Sequence, residues 1–142
     1  MYTEEFWDKT RRILEDAYNE GHIDAFDEIV APDFVRHQPP FPDIVGLEAW
    51  KQYVADTRTS YPDAQLKLGE YISQGGTTAT LWTFEGTQTG VSPTTGAPSS
   101  GNRVAFTGLS LDRYEEGKLV EEHACGDWLS LMQQIGAIPK VV

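Results

Sequence analysis

Residues 102–128, NRVAFTGLSLDRYEEGKLVEEHACGDW, hold two alternating runs, 102–114 and 119–128, on either side of Glu115-Glu116-Gly117-Lys118. Alternation interrupted by a short glycine-bearing turn predicts a long β-hairpin. Side chains on a strand repeat with period two, so His123, Cys125 and Asp127 share one face and Glu122, Ala124 and Gly126 the other. An imidazole and a carboxylate on one face make the end of this hairpin the first place to look for chemistry.

Working outward, residues 77–87 predict a strand with Leu81, Thr83 and Glu85 on one face and Trp82 and Phe84 on the other. Before it, Ala64, Leu66 and Leu68 alternate with Gln65, Lys67 and Gly69, and Tyr71 and Ile72 follow up to the turn Ser73-Gln74-Gly75-Gly76. Large groups on both faces suit a sheet with helices on one side and a second subunit on the other, so a homo-oligomer, a dimer or a tetramer, is expected. Residues 87–102 are rich in Gly, Ser, Thr and Pro and predict a long mobile loop, either a disordered hairpin tip or a flap over a pocket mouth.

The first half is helical in pattern. Phe6, Trp7, Ile13, Leu14, Ala17 and Tyr18 recur at helical spacings over 4–20, and Gly21 suits the stop. Asp24 caps a second short helix carrying Phe26, Ile29 and Val30, which Pro32 ends. A short strand at 34–37 runs into Pro39, Pro40 and Pro42. Leu47, Trp50, Val54 and Tyr61 give a third helix over 46–61, and a short helix over 128–136 closes the chain. Helices first and an antiparallel meander afterwards is the α+β class: a curved antiparallel sheet wrapped around three N-terminal helices, forming a cone with an apolar pocket.

The chain has 142 residues and is expected to form a single domain, 1–142, with 39% apolar residues and 4 Trp, 6 Tyr and 6 Phe. A net charge of −11 argues against nucleic acid and anionic membrane surfaces as partners. One cysteine, Cys125, leaves no disulfide framework. The first residues are acidic without an apolar leader, and no stretch is long enough to span a bilayer, which gives a cytoplasmic expectation. No Gly-rich phosphate loop, G-x-S-x-G or H-E-x-x-H occurs, and His22, His37 and His123 are widely spaced without ligand spacing. No metal and no organic cofactor are expected.

The hairpin also carries a family likeness. Lys118-Leu119-Val120-Glu121, then Asp127, then 129–136 resemble the C-terminal end of the SnoaL-like polyketide cyclases, members of the nuclear-transport-factor-2-like group that also holds ketosteroid isomerase and scytalone dehydratase. Further matches lie at 21–37, Tyr61-Pro62-Asp63, 86–90 and Phe106-Thr107-Gly108. The resemblance implies the cone fold and an aspartate at position 127 that serves as acid/base in the cofactor-free intramolecular aldol closure of a polyketide ester. It also singles out His37 at the start of the cavity. Where the family often has Glu-His-Trp, this chain has Glu121-Glu122-His123, which makes the expected pocket wall more polar.

The residues themselves point to acid–base chemistry on a small apolar or aromatic ligand. A carboxylate next to Trp128, Leu129 and Leu131 would be shifted toward neutrality by desolvation and could take a proton α to a carbonyl. Asp127 is therefore either that base or the N-cap of the last helix, a role aspartate fills well. His37 and His123 are the candidates to polarise the carbonyl, and Tyr18, Trp50, Trp82, Phe84, Phe106 and Arg113 the candidates to bind substrate. Arg113 suits equally a surface ion pair, and Asp112, Glu121 and Glu122 are expected as surface charges. Alternatives in the same fold are an epoxide hydrolase, dehydratase or isomerase of a small apolar molecule; epoxide opening in related cones uses an Asp-Arg-Asp set. A non-catalytic ligand-binding protein is the reading from another class.

Overall fold

A computed structural model describes residues 1–140. Helix α1, Glu4–Glu20, starts where the Thr3 hydroxyl accepts the Phe6 N–H and stops at Gly21 in the left-handed region, φ +81°. Trp7, Leu14, Ala17 and Tyr18 form its buried stripe. The expected second helix is instead a 3-10 turn, Ile23–Glu28, which no side chain caps; its fixed point is Phe26, wholly buried and stacked 4.3 Å from Trp50. Strand β1, Val30–Gln38, is longer than predicted. Pro32 fits inside it because the ladder is irregular between Val30 and Val35.

After the Pro39-Pro40 turn comes an unpredicted strand, β2, Phe41–Val45, paired antiparallel to β1. Pro42 is tolerated there because β2 is an edge strand. Helix α2, Leu47–Ser60, packs on β1 and the 3-10 turn, and strands β3, Gln65–Gln74, β4, Thr77–Thr87, β5, Arg103–Glu115, and β6, Lys118–Gly126, follow as a meander. Helix α3, Trp128–Gln134, closes against β5.

The six strands form one curved, unclosed sheet in the order β2-β1-β6-β5-β4-β3. One correction to the antiparallel expectation is that β1 and β6 run parallel, aligning Arg36 with Glu122 and His37 with His123. A strand from the first quarter of the chain can join the last strand this way because the whole meander serves as the crossover. At the opposite edge, α1 covers β3 with side chains: Arg11 donates to the carbonyls of Leu68 and Gly69, Asn19 brackets Leu66, and Glu15 accepts the Leu68 N–H. Those bonds satisfy backbone groups that an open edge would leave exposed to a second chain.

The loop between β4 and β5 is organised by a polar side chain rather than by apolar burial. Gln88 is wholly buried, accepts from Ser100 and donates to the Ala97 carbonyl, while the backbone closes through Gly101 to Gln88. Ser60 donates to the Val91 carbonyl and Tyr53 bonds Thr94, so the loop is fastened to α2. Among the described residues no helix is long and apolar enough to cross a membrane.

Candidate functional site

Between the helices and the concave face of the sheet lies a cavity of about 90 Å³. Tyr18, Trp50, Tyr53 and Tyr61 wall it from the helical side, Trp82, Phe84 and Phe106 from the sheet, Trp128 and Leu131 from α3, and Thr94 from the loop. The loop thus contributes to the cavity wall, as a flap would. The aromatic wall depends on a close approach: a Cβ on Gly108 would stand 2.2 Å from Cζ2 of Trp82, so only glycine lets the indole lie across β5. Trp82 Nε1 then donates to Ser110 Oγ at 2.9 Å.

At the polar end of this aromatic chamber three charged side chains meet. Arg36, Asp112 and Glu122 are 8%, 5% and 6% exposed. Arg36 donates to Glu122 Oε1 at 2.5 Å and, through Nε, to Gln38 Oε1 at 3.3 Å. Asp112 stands opposite Glu122 in the β5–β6 register. Burial, then the charge of Glu122 and a hydrogen bond to it, hold the Asp112 carboxyl protonated far above the ordinary aspartate range, against the pull of Arg36. Asp112 Oδ1 has no hydrogen-bond partner among the described residues, although Asp112 lines the cavity. A buried polar atom left unpaired beside a cavity is a ready partner for a ligand. Burial also pushes the Tyr18 hydroxyl up to about 12, so it enters the chamber as a neutral donor.

The expected substrate-binding aromatics Tyr18, Trp50, Trp82, Phe84 and Phe106 all line the cavity. The remaining predicted residues lie elsewhere. Asp127 is exposed and accepts the Ser130 N–H at 3.0 Å, capping α3; solvent reaches the carboxylate, so the desolvation expected of it is absent. His37 and His123 are together, with rings stacked 4.5 Å apart, but on the outer face of the sheet. Arg113 is half exposed on that same outer face and pairs with Glu115 and Glu121. Asp112 and Glu122, expected as surface charges, are the buried pair; Glu121 is outside, as expected.

The inversion has a physical cause. On β5, Val104, Ser110, Asp112 and Tyr114 face in, while Leu109 and Leu111 face out and are about half exposed. The phase of Val104, Phe106 and Tyr114 was available in the sequence and would have carried Asp112 inward with them. Arg36 has no such local signal, since its burial depends on a strand 86 residues away.

The SnoaL-like polyketide cyclase model matches residues 8–135 of the chain. The chain belongs to that family. Its fold is that of TsrD from Streptomyces laurentii (24% identity, 97% of this chain and 100% of that one, TM-score 0.85). A protein from Jannaschia sp. CCS1 described as a candidate SnoaL-like polyketide cyclase is similar at 22% identity, 98% and 97% coverage and TM-score 0.82. AclR from Streptomyces galilaeus, described as a candidate hydroxylase, aligns at 21% identity over 96% and 86% of the chains with TM-score 0.75. No curated protein gives a significant match. The cone is thus the family's fold, and inside it this chain brings Arg36, Glu122 and Asp112 together.

Proposed function

We propose that this SnoaL-like protein is an acid/base enzyme acting on a small aromatic or polyketide-like carbonyl compound, with its proton chemistry at Asp112 and Glu122 rather than at Asp127. The observation that carries this reading is the buried Asp112 carboxyl, with Oδ1 unpartnered among the described residues, opposite Glu122 on the wall of an aromatic cavity, where burial and Glu122 raise its pKa. An acid whose pKa its surroundings raise, set beside a carboxylate paired with a guanidinium, can serve with it as an acid/base pair. Arg36 fixes the Glu122 carboxylate by its 2.5 Å bond to Oε1, and that carboxylate takes a proton α to the substrate carbonyl once the ligand oxygen replaces it as the partner of Asp112. Asp112 donates its proton to the oxygen on which charge develops, in a chamber where little water competes. The resulting enol is the nucleophile of an aldol-type ring closure: as the new C–C bond forms, its O–H returns the proton to Asp112 and the carbonyl is restored, while Glu122 gives the abstracted proton to the product alkoxide.

A second reading rests on the same three side chains. Asp112, Arg36 and Glu122 form an acid–guanidinium–acid set, so Asp112 could protonate an epoxide oxygen while Glu122 activates water. The separating experiment incubates the enzyme in deuterated buffer with β-keto esters and hydroxyanthraquinones, and in parallel with aryl epoxides. Under the cyclase reading, α-proton exchange is catalysed by wild type and falls about 10²–10⁴-fold in Asp112→Asn and Glu122→Gln. Diol formation without exchange moves the assignment to epoxide opening. Exchange unaltered in both variants but lost in Asp127→Asn overturns it.

A further inference from the structure

The two rungs that place Arg36 against Glu122 inside the sheet place His37 against His123 outside it. His37 Nε2 lies 2.9 Å from Glu121 Oε2, and His123 Nε2 lies 4.0 Å from the same oxygen. One donor atom from each of the three residues falls within 4.8 Å of the others. Behind them, His37 Nδ1 is 3.1 Å from Asp43 Oδ2 on β2. A carboxylate on one ring nitrogen is the usual outer partner of a metal-binding histidine, because it fixes the ring and leaves the other nitrogen for the ion. Arg113 holds Glu121 through Oε1, at 3.2 Å, so Oε2 is the oxygen turned toward the imidazoles.

We propose that His37, His123 and Glu121 form a binding site for a divalent transition-metal ion of the zinc class, with Asp43 as the residue that positions His37. Two imidazoles and one carboxylate suit zinc and its neighbours; magnesium and calcium take oxygen sets. In tetrahedral zinc sites with bonds of about 2.0–2.1 Å, ligand atoms stand roughly 3.3 Å apart. The His37–Glu121 pair already spans about that distance, and the His123 side chain, 52% exposed, is free to turn inward. Glu121, Asp43 and the net charge of −11 favour a cation at this face, with Arg113 opposing and Glu115 offsetting it. Three protein ligands leave a fourth position for water. The site spans β1 and β6, so an ion there clamps the parallel pair without entering the cavity on the other face.

The spacing in sequence concealed this set, since 84 residues separate His37 from Glu121. The test uses the full chain stripped with a chelator and titrated with Co²⁺ by visible absorption and with Zn²⁺ by calorimetry and thermal unfolding. The expected result is one ion per chain, a tetrahedral Co²⁺ spectrum that Zn²⁺ displaces, and an unfolding midpoint that rises with Zn²⁺ concentration. Asp43→Asn should weaken Zn²⁺ binding about 10–100-fold, the usual effect of removing such an outer partner. His37→Gln/His123→Gln should abolish it and His22→Gln should leave it unchanged. Because His123 is half exposed, His123→Gln alone keeps the test available if the double variant does not fold. No Co²⁺ spectrum and no midpoint shift in wild type, or binding that persists in the folded histidine variants, overturns the proposal.

Discussion

Asp112→Asn should stabilise the folded protein at neutral pH while removing its proposed acid. In the unfolded chain Asp112 ionises near the ordinary value of 3.8, whereas in the fold burial and Glu122 keep it protonated to much higher pH. Across that interval the native state binds one proton more than the unfolded state, so stability falls as pH rises from about the ordinary value through the raised one. Each unit between the two costs about 1.4 kcal/mol. Below the ordinary value both states are protonated and the penalty vanishes. Asparagine is nearly isosteric, donates to Glu122 as the protonated acid does, and has no proton to lose. Wild type should therefore lose stability relative to Asp112→Asn on going from about pH 4 to 8, as read from urea unfolding at a series of pH values. Parallel curves over that range would show that Asp112 is not held protonated, and the acid assignment would fall with it.

Arg36→Leu should cost about 3–5 kcal/mol in denaturant unfolding, because it leaves Glu122 buried beside Asp112 without its cation. Asp127→Asn should alter neither turnover nor stability, and Asp127→Ala should cost roughly 1 kcal/mol, since asparagine caps about as well as aspartate and alanine does not. Gly108→Ala should destabilise by about 1–3 kcal/mol and quench-shift the tryptophan fluorescence, because Trp82 must move. A homodimer through the outer sheet face is proposed from the adjacent, half-exposed Leu81, Leu109 and Leu111, burying on the order of 1,600 Å² in total; light scattering should give a dimer for wild type and a monomer for Leu109→Lys.

The sequence carried the strand and helix plan well where the pattern was local. The span 77–87 is β4 to the residue, and the hairpin of β5 and β6 lies within a residue or two of its predicted ends. Pattern reading failed where partners were distant or the usual polarity of faces was reversed. The strand after Pro40 was missed because three prolines hide an edge strand that needs few ladder donors. The aromatic half of the cavity was legible from Tyr18, Trp50, Trp82, Phe84 and Phe106, since large rings on the phase opposite Leu81 have to be enclosed somewhere. Of its polar half only Asp112 was legible, through its phase with Phe106 and Tyr114, against the general expectation that charged side chains lie outside; Arg36 was not, because its burial depends on a partner 86 residues away.

The parallel pairing of β1 with β6 also has a consequence for biosynthesis. Helix α1, the hairpins β3–β4 and β4–β5, and the ribbon β1–β2 all join neighbours in the chain and can form while translation continues. Arg36 and Glu122 are 86 residues apart, and their strands can meet only when β6 has been made. Until then the nascent chain holds a half-sheet ending in β5 and a separate ribbon ending in β1, each with an unpaired edge. The last strand is thus the keystone that closes the sheet: in a nascent chain halted before residue 118 the helices α1 and α2 already tie the two parts through their apolar core, while β1 and β5 still present adhesive borders.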